Sequence, residues 1–347
     1  MELIAPREIL VRGPNWVGDL VMATPGLRAL RAGFPDARIS LQLRPGLESL
    51  LTGCPHVDEI IPVRSYHRGA RALIREGLEL RRRGSFDLGI CIPESFSSAL
   101  LLRIAGVRHV VGYAGGARGA LLHHAVAVPS AWGARRLVPR ELFVLGLMDA
   151  VGCKERGTHL ELFSSPAEDA RVETVLCEHA VTASEPLVVL APGASFGSSK
   201  LWPARSYARV AEALAGRGVR IVLLGGASEA PLTAAVAEAM SERPIDLAGV
   251  LDLGEAKALI RRAALMICND AGARHIAAAF GIPAIVFFGP TSLEKTSLNL
   301  DGIEVLQTDD GCRPCYKRSC PIDHRCMTGI DSDQVIDLAR EILRRSA

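Results

Sequence analysis

Residues Ile267–Thr291, ICNDAGARHIAAAFGIPAIVFFGPT, decide how the rest of the chain is read. Leu265–Cys268 is a short apolar run, interrupted by Asn269-Asp270, two residue types that favour helix starts. Gly272 lets a ligand approach the backbone closely. The Ala-rich stretch Ala271–Phe280 then reads as a helix, Gly281-Ile282-Pro283 stops it, and Ala284–Phe288 is a second buried strand. Strand, tight loop, helix, strand predicts a βαβ unit. The N-terminus of its helix presents unpaired N–H groups and a partial positive charge, a natural seat for phosphate. An ordinary βαβ turn with Asp270 as a plain N-cap fits the same residues, so the neighbouring stretches must separate the two.

The chain has 347 residues, of which 49% are hydrophobic, more than one typical core accommodates. Alternating apolar runs and amphipathic stretches predict an α/β protein. The expected division is an N-terminal domain over residues 1–160, a C-terminal domain over 161–330 and a closing helix over 331–347, with the boundary in the aperiodic stretch Gly152–Ser165. No apolar run reaches the roughly 18–20 residues of a membrane span. The first residues lack the apolar core and cleavage site of a signal peptide, so a cytoplasmic protein is expected. Charge is uneven: residues 1–160 carry net +7 and residues 161–347 net −5. A basic first half suits an anionic partner, although a solvated Arg-rich surface gives the same count.

In the first half, strands are predicted at Glu8–Arg12, Arg38–Leu43, Val57–Val63, Phe86–Ile92, His109–Tyr113 and His123–Val128. Helices are predicted over Leu20–Ala32, Arg68–Arg83 and Pro139–Val151. The middle one sets Arg68, Arg71, Arg75 and Arg81–Arg83 beside Leu73, Ile74, Leu78 and Leu80. Long Arg stems over such a stripe suit an anionic bilayer surface; a helix packed on the sheet with its charges in water is the alternative. The pattern then restarts with strands at Leu187–Ala191, Val219–Leu224 and Asp246–Ala248 and helices at Pro203–Ala215, Glu229–Met240 and Leu253–Ala263, before the opening stretch and a last helix, Asp331–Arg345. Two βα-repeating halves predict two Rossmann-like parallel-sheet domains facing across a cleft, with ligands at the carboxyl ends of the strands.

Three places carry candidate chemistry. Asp19 follows the first strand, where a carboxylate can take a proton from an attacking hydroxyl or cap the next helix. The loop Pro192–Pro203 combines small residues, the hydroxyls of Ser195, Ser198 and Ser199, and the ammonium of Lys200, a set suited to an anion. It is not a Walker A loop, because Lys200 follows Ser-Ser rather than the required Gly. The opening stretch supplies Asp270, Gly272 and His275. A fourth feature, Cys312, Cys315, Cys320 and Cys326, has the spacing C-x2-C-x4-C-x5-C with His324 nearby. It suits a thiolate metal site or reduced thiols packing a loop.

Four blocks, GPNWVGDLVMATPGLRALR, APGASFGSSKLWP, CNDAGARHIAAAFGIPAIVFFGPTS and CRPCYKRSCPIDHRCM, together resemble the ADP-heptose:lipopolysaccharide heptosyltransferases of glycosyltransferase family 9. They stand in the family's order, span nearly the whole chain, and are most similar to the heptosyltransferase II branch. The resemblance implies a GT-B glycosyltransferase that inverts the anomeric centre. An acceptor hydroxyl on a lipid A-based core would attack ADP-heptose directly, without a catalytic metal. By the same resemblance Asp19 is the general base, Lys200 neutralises the diphosphate and Asp270 holds the donor heptose. Ala271, Gly272, Ala273 and His275 form the helix start that receives the diphosphate, with Ser195, Ser198 and Ser199 as further donor contacts. Two residues depart from the family pattern: Ala271 stands where Ser or Thr is usual, and Arg274 is an unusual neighbour that either adds positive charge or points to solvent. The branch implies transfer to the first heptose of heptosyl-Kdo2-lipid A; heptosyltransferases I and III share the donor machinery and differ in acceptor.

Two other function classes fit less well. A Rossmann oxidoreductase requires G-x-G-x-x-G after the first strand, and GPNWVG does not provide it. A non-catalytic nucleic-acid- or metal-binding protein leaves the paired loops at 193–200 and 269–275 without purpose, so no nucleic acid is expected as a partner.

Overall fold

The computed structural model describes residues 6–64, 69–134, 136–215, 218–309 and 311–346. The chain forms two compact units, Met1–Glu161 and Leu162–Ala347. The first runs β1 Glu8–Arg12, α1 Val17–Val21, α2 Thr24–Gly33, β2 Arg38–Leu43, β3 Glu59–Pro62, α3 Gly69–Arg83, β4 Leu88–Cys91, α4 Phe96–Ile104, β5 His109–Tyr113, β6 His124–Val126 and α5 Arg140–Ala150. The second opens with α6 Pro166–Glu178, β7 Leu187–Ala191, α7 Ala204–Ala215, β8 Arg220–Leu223, α8 Ala230–Glu238, β9 Ile245–Asp246 and α9 Leu253–Arg262. It closes with β10 Leu265–Asn269, α10 Gly272–Ala279, β11 Ala284–Phe288, β12 Ile303–Gln307, α11 Arg325–Thr328 and α12 Ser332–Ser346.

Each unit contains a six-stranded, wholly parallel sheet. The orders are β3-β2-β1-β4-β5-β6 and β12-β11-β10-β7-β8-β9. Numbered from each unit's own first strand, both are the doubly wound order 3-2-1-4-5-6, whose direction reverses between its first and fourth strands. The reversal lies between β1 and β4 in the first unit and between β7 and β10 in the second, so the loops after β1, β7 and β10 sit where such sheets bind ligands. Strands β7, β10 and β11 are buried at every residue. Helices cover both faces of a parallel sheet, which is why LVVLA, LMICN and AIVFF are almost free of polar residues.

Several expectations shift. The helix predicted over Leu20–Ala32 is two helices. Pro25 in the first turn of α2 lacks an N–H, and Thr24 turns its hydroxyl back to the Val21 carbonyl at 2.8 Å. Helix α6 was not anticipated; it begins at a capping box in which Ser165 and Glu168 satisfy each other's backbone N–H groups. Helix α4 and strand β12 were also unforeseen. The predicted Arg68 lies outside the described residues, and α3 faces otherwise than its apolar stripe suggested. It buries Ala72, Glu76, Gly77 and Leu80, while Ile74 and Leu78 are 48% and 41% exposed. Gly77 makes this packing possible, since a Cβ there would stand 2.6 Å from Ile104 of α4. The final helix is part of the second unit's core, to which it contributes Val335, Ile336, Ala339 and Ile342.

Candidate functional site

In the first unit, Asp19 stands in the first turn of α1, whose N-cap is Trp16. It is therefore not a capping residue, which removes the alternative the sequence left open. The loop before it is held from below by Arg12, a buried side chain. Its guanidinium donates to the carbonyls of Gly13 at 2.7 Å and Gln42 at 3.2 Å, and to Asn15 Oδ1 at 2.7 Å. Arg140 of α5 brings its Nε to 3.8 Å from the Asp19 carboxylate, which stays about one-third exposed. A carboxylate in this setting is open to solvent and placed to receive a proton.

In the second unit, the loops after β7 and β10 meet. Lys200 Nζ donates to Asp270 twice, to the carboxylate Oδ2 at 2.5 Å and to the main-chain carbonyl at 2.7 Å. Thr291, just beyond β11, donates its hydroxyl to the same Oδ2 at 2.7 Å. The ammonium also lies 5.3 Å from the centre of the Phe196 ring. Asp270 is not the cap of α10 either. That position belongs to Ala271, whose backbone is extended and whose side chain has no oxygen to offer. The first N–H groups of α10, from Gly272 through His275, therefore receive no side-chain cap from Ala271, and a bound anion can accept from them.

In the sequence Asn269 reads as a strand end of a type that favours helix starts, yet in the structure it ties the two loops together. Fully buried, it accepts from Trp202 N–H at 3.1 Å and donates to the Pro192 carbonyl at 2.7 Å. Trp202 then packs on Phe287 and Tyr207, with ring centres 4.3 and 5.0 Å apart, so the floor of the Lys200 loop is continuous with the core. Glu229 is another unforeseen neighbour. Its carboxylate lies over Gly193, where a Cβ would come within 1.9 Å of Oε1, and accepts from Gly226 N–H at 2.9 Å.

The predicted donor contacts divide. Lys200, Asp270 and the start of α10 are brought together, whereas the serines are not equivalent. Ser195 and Ser198 are exposed. Ser199 is buried, and its hydroxyl donates to the Lys317 carbonyl at 2.5 Å, which commits that proton within the protein. Arg274 does not point to solvent. It is 3% exposed, donates to the Thr296 carbonyl at 2.9 Å and lies 5.4 Å from the Phe288 ring centre. His275 is also buried, and burial, then the charges of Arg274 and Lys200, push its pKa well below the ordinary 6.5. It is a neutral imidazole at physiological pH and contributes no positive charge to an anion.

Cys312, Cys315, Cys320 and Cys326 are free thiols. Among the described residues no group of three or more His, Cys, Asp or Glu side chains is arranged to hold a metal ion. One Asp-x-Asp triplet, the hallmark of metal-dependent glycosyltransferases, is present as Asp331-Ser332-Asp333. It opens α12: Asp331 accepts from Asp333 N–H at 3.0 Å, and Asp333 pairs with Arg209 at 2.5 Å.

Residues 75–325 match the family model of glycosyltransferase family 9 (heptosyltransferase). The chain belongs to that family. Among the relatives, lipopolysaccharide heptosyltransferase 2 of Salmonella typhimurium is 31% identical over 83% of this chain and 84% of its own length. Lipooligosaccharide heptosyltransferase 2 of Haemophilus influenzae is 29% identical over 87% and 89%. The structure of E. coli ADP-heptose lps heptosyltransferase II superposes with a TM-score of 0.80 at 26% identity, covering 97% of this chain and 99% of that one. The fold is thus that of a GT-B glycosyltransferase, with the two doubly wound sheets as its two Rossmann-like domains. No helix among the described residues is long and apolar enough to cross a membrane.

Proposed function

We propose that this family 9 glycosyltransferase moves L-glycero-D-manno-heptose from ADP-heptose to the first heptose of the lipopolysaccharide inner core, heptosyl-Kdo2-lipid A. The observation that carries the reading is the pairing of Lys200 with Asp270 at the sheet's switch point, beside the uncapped start of α10. A leaving diphosphate gathers negative charge as the sugar departs. An ammonium and a fan of helix N–H groups stabilise that charge, with the largest effect where water is excluded. In this reading the diphosphate competes with Asp270 for Lys200. Asp270, released from the ammonium, then accepts a hydroxyl of the heptose, and Thr291 keeps its carboxylate oriented. The charge supplied by a metal in other glycosyltransferases comes here from the chain itself.

Asp19 is assigned the general-base role. As the acceptor hydroxyl oxygen forms its bond to the anomeric carbon, its proton passes to the Asp19 carboxylate. The anomeric carbon–oxygen bond breaks, its electron pair stays on the β-phosphate oxygen of ADP, and the configuration inverts. Ser195, Ser198, Gly272 and Ala273 are placed at the diphosphate; Ser199 and His275 act behind it.

The acceptor is anionic, which suits the net positive first half. Ile74 and Leu78 lie outward on α3 beside Arg71 and Arg75, and we assign that face to peripheral contact with an anionic membrane on the cytoplasmic side. The test is a transfer assay with ADP-heptose and core acceptors bearing zero, one or two heptoses. Product from the one-heptose acceptor alone is expected. Product from the heptose-free or two-heptose acceptor instead moves the chain to the first- or third-transferase role.

A further inference from the structure

The Cys-rich loop between β12 and α12 is absorbed by none of the chemistry above, yet it bonds to the residue before Lys200 and to the turn that leads into Thr291, the partner of Asp270. On one side it encloses Ser199, the residue before Lys200, through each of that residue's polar groups. Ser199 N–H donates to the Arg318 carbonyl at 3.0 Å, its hydroxyl to the Lys317 carbonyl at 2.5 Å, and its carbonyl receives His324 Nε2 at 2.7 Å. A carbonyl only accepts, so Nε2 carries a proton. Ser198 adds a weaker contact to Ser319 at 3.4 Å. Gly197 completes the fit: its φ is 152°, and a Cβ would stand 2.3 Å from the Arg318 carbonyl oxygen. On the other side, Arg313 Nε donates to the Gly289 carbonyl at 2.7 Å and Tyr316 N–H to the Pro290 carbonyl at 2.9 Å. Those two residues lead directly into Thr291, which holds Asp270.

We infer that this loop is a clasp that sets the position of the Lys200 ammonium, with His324 as its principal positioning residue. Lys200 has a long, freely rotating side chain, and one bond along the backbone from it Ser199 has no polar group left to rearrange. A lysine that must leave Asp270 for a diphosphate needs its main chain fixed while the side chain swings. The clasp fixes Ser199 and the turn before Thr291 from a single loop, so the origin of the swing and its Asp270 end point move together. His324 has the left-handed backbone conformation (φ 60°) that places its ring over Ser199, a conformation more tolerable for Asn than for Ala. That guides the choice of variants.

The inference rests on the reading of Lys200 as the diphosphate partner, and the experiment separates the two. ADP affinity is measured by calorimetric titration for the full chain and for His324→Asn, His324→Gln, Lys200→Ala and the His324→Asn/Lys200→Ala double variant, alongside kcat and KM for donor. His324→Asn tolerates the backbone conformation but is too short to reach the Ser199 carbonyl; His324→Gln restores a donor at the reach of Nε2. The expected result is ADP affinity and kcat lower by about tenfold in His324→Asn, as for directly coupled neighbours. Most of both returns in His324→Gln, and His324→Asn causes no further loss in the Lys200→Ala background. Wild-type ADP affinity in His324→Asn, or the same fractional loss with and without Lys200, overturns the clasp while leaving the Lys200 reading intact. Unchanged ADP affinity in Lys200→Ala overturns the Lys200 reading, and the clasp with it.

Discussion

Lys200 and Asp270 are joined by two hydrogen bonds from one ammonium, 2.5 Å to the carboxylate and 2.7 Å to the main-chain carbonyl. Their side chains are only 12% and 9% exposed. Removing one member of so enclosed a pair strands the other. Asp270→Ala should therefore lower stability to urea by about 3 kcal/mol, the low end for a buried pair that loses one partner. The Lys200→Met/Asp270→Asn double variant should recover part of that loss. Equal urea midpoints for the wild type and Asp270→Ala would show that the pair is solvated and contributes little. In catalysis Lys200→Ala should reduce kcat/KM for donor by roughly 2–4 kcal/mol of transition-state stabilisation.

Thr291 donates to the same carboxylate oxygen that Lys200 uses. Thr291→Val keeps the shape and deletes the donor. Once the ammonium departs to the diphosphate, Asp270 lacks its remaining orienting bond, so the variant should raise KM for donor and lower kcat. The combined loss should be about 1–3 kcal/mol in kcat/KM, the cost of leaving a buried acceptor unpaired. Thr291→Ser should retain near-normal kinetics. Steady-state assays on the three proteins decide the matter; indistinguishable Val and Ser variants would remove Thr291 from the site.

His275 is neutral in the folded chain because burial and two nearby cations oppose its protonation. Its folded pKa lies below the ordinary 6.5, so under acidic conditions the unfolded chain binds more protons at this position than the folded one. The contribution is constant above that ordinary value, and stability falls as pH drops through and below it. Urea midpoints from pH 8 to pH 5 should decline below about pH 6.5, and His275→Gln should flatten part of that slope. A slope unaltered by the substitution would place the pH dependence elsewhere, His123 being another histidine with a lowered pKa.

Asp19 is partly exposed and 3.8 Å from Arg140. Asp19→Asn preserves size and polarity and abolishes proton acceptance. It should leave ADP affinity unchanged and reduce kcat by about 100-fold or more, the usual contribution of a positioned base. Pre-steady-state transfer measured beside ADP titration separates the two effects, and near-normal turnover would transfer the base role to another group.

Much of the fold was legible because its central strands are extreme. LVVLA and AIVFF are apolar runs ended by Pro or Gly, and both strands occupy the predicted residues. β12, IEVLQ, was missed because it is an edge strand with Glu304 exposed and two half-buried residues, and its pattern resembles a loop as much as a strand. The α1–α2 break was legible in Pro25, but the apolar spacing of Leu20, Leu27 and Leu30 masked it. Within the site, the residue types spoke for Lys200, Asp270 and Gly272, and the order of sequence blocks supplied their family. What the sequence does not carry is partnership across distance. Lys200 and Asp270 are 70 residues apart and meet only because β7 and β10 are neighbours in the sheet. Ser199 reads as a phosphate ligand until the Cys-rich loop, more than a hundred residues later, is seen to occupy it. In the sequence Arg274 either adds positive charge or points to solvent and His275 belongs to the helix start that receives the diphosphate, whereas α10 buries both side chains.

The most direct test is a crystal structure of the chain with ADP-heptose, or with a non-transferable analogue of it. The diphosphate should lie at the start of α10 within hydrogen-bond reach of the 272–275 N–H groups. Lys200 Nζ should have moved from the Asp270 carboxylate onto a phosphate oxygen, and Asp270 should bond a heptose hydroxyl. A complex in which the diphosphate is seated elsewhere, with Lys200 still on Asp270, would contradict the account.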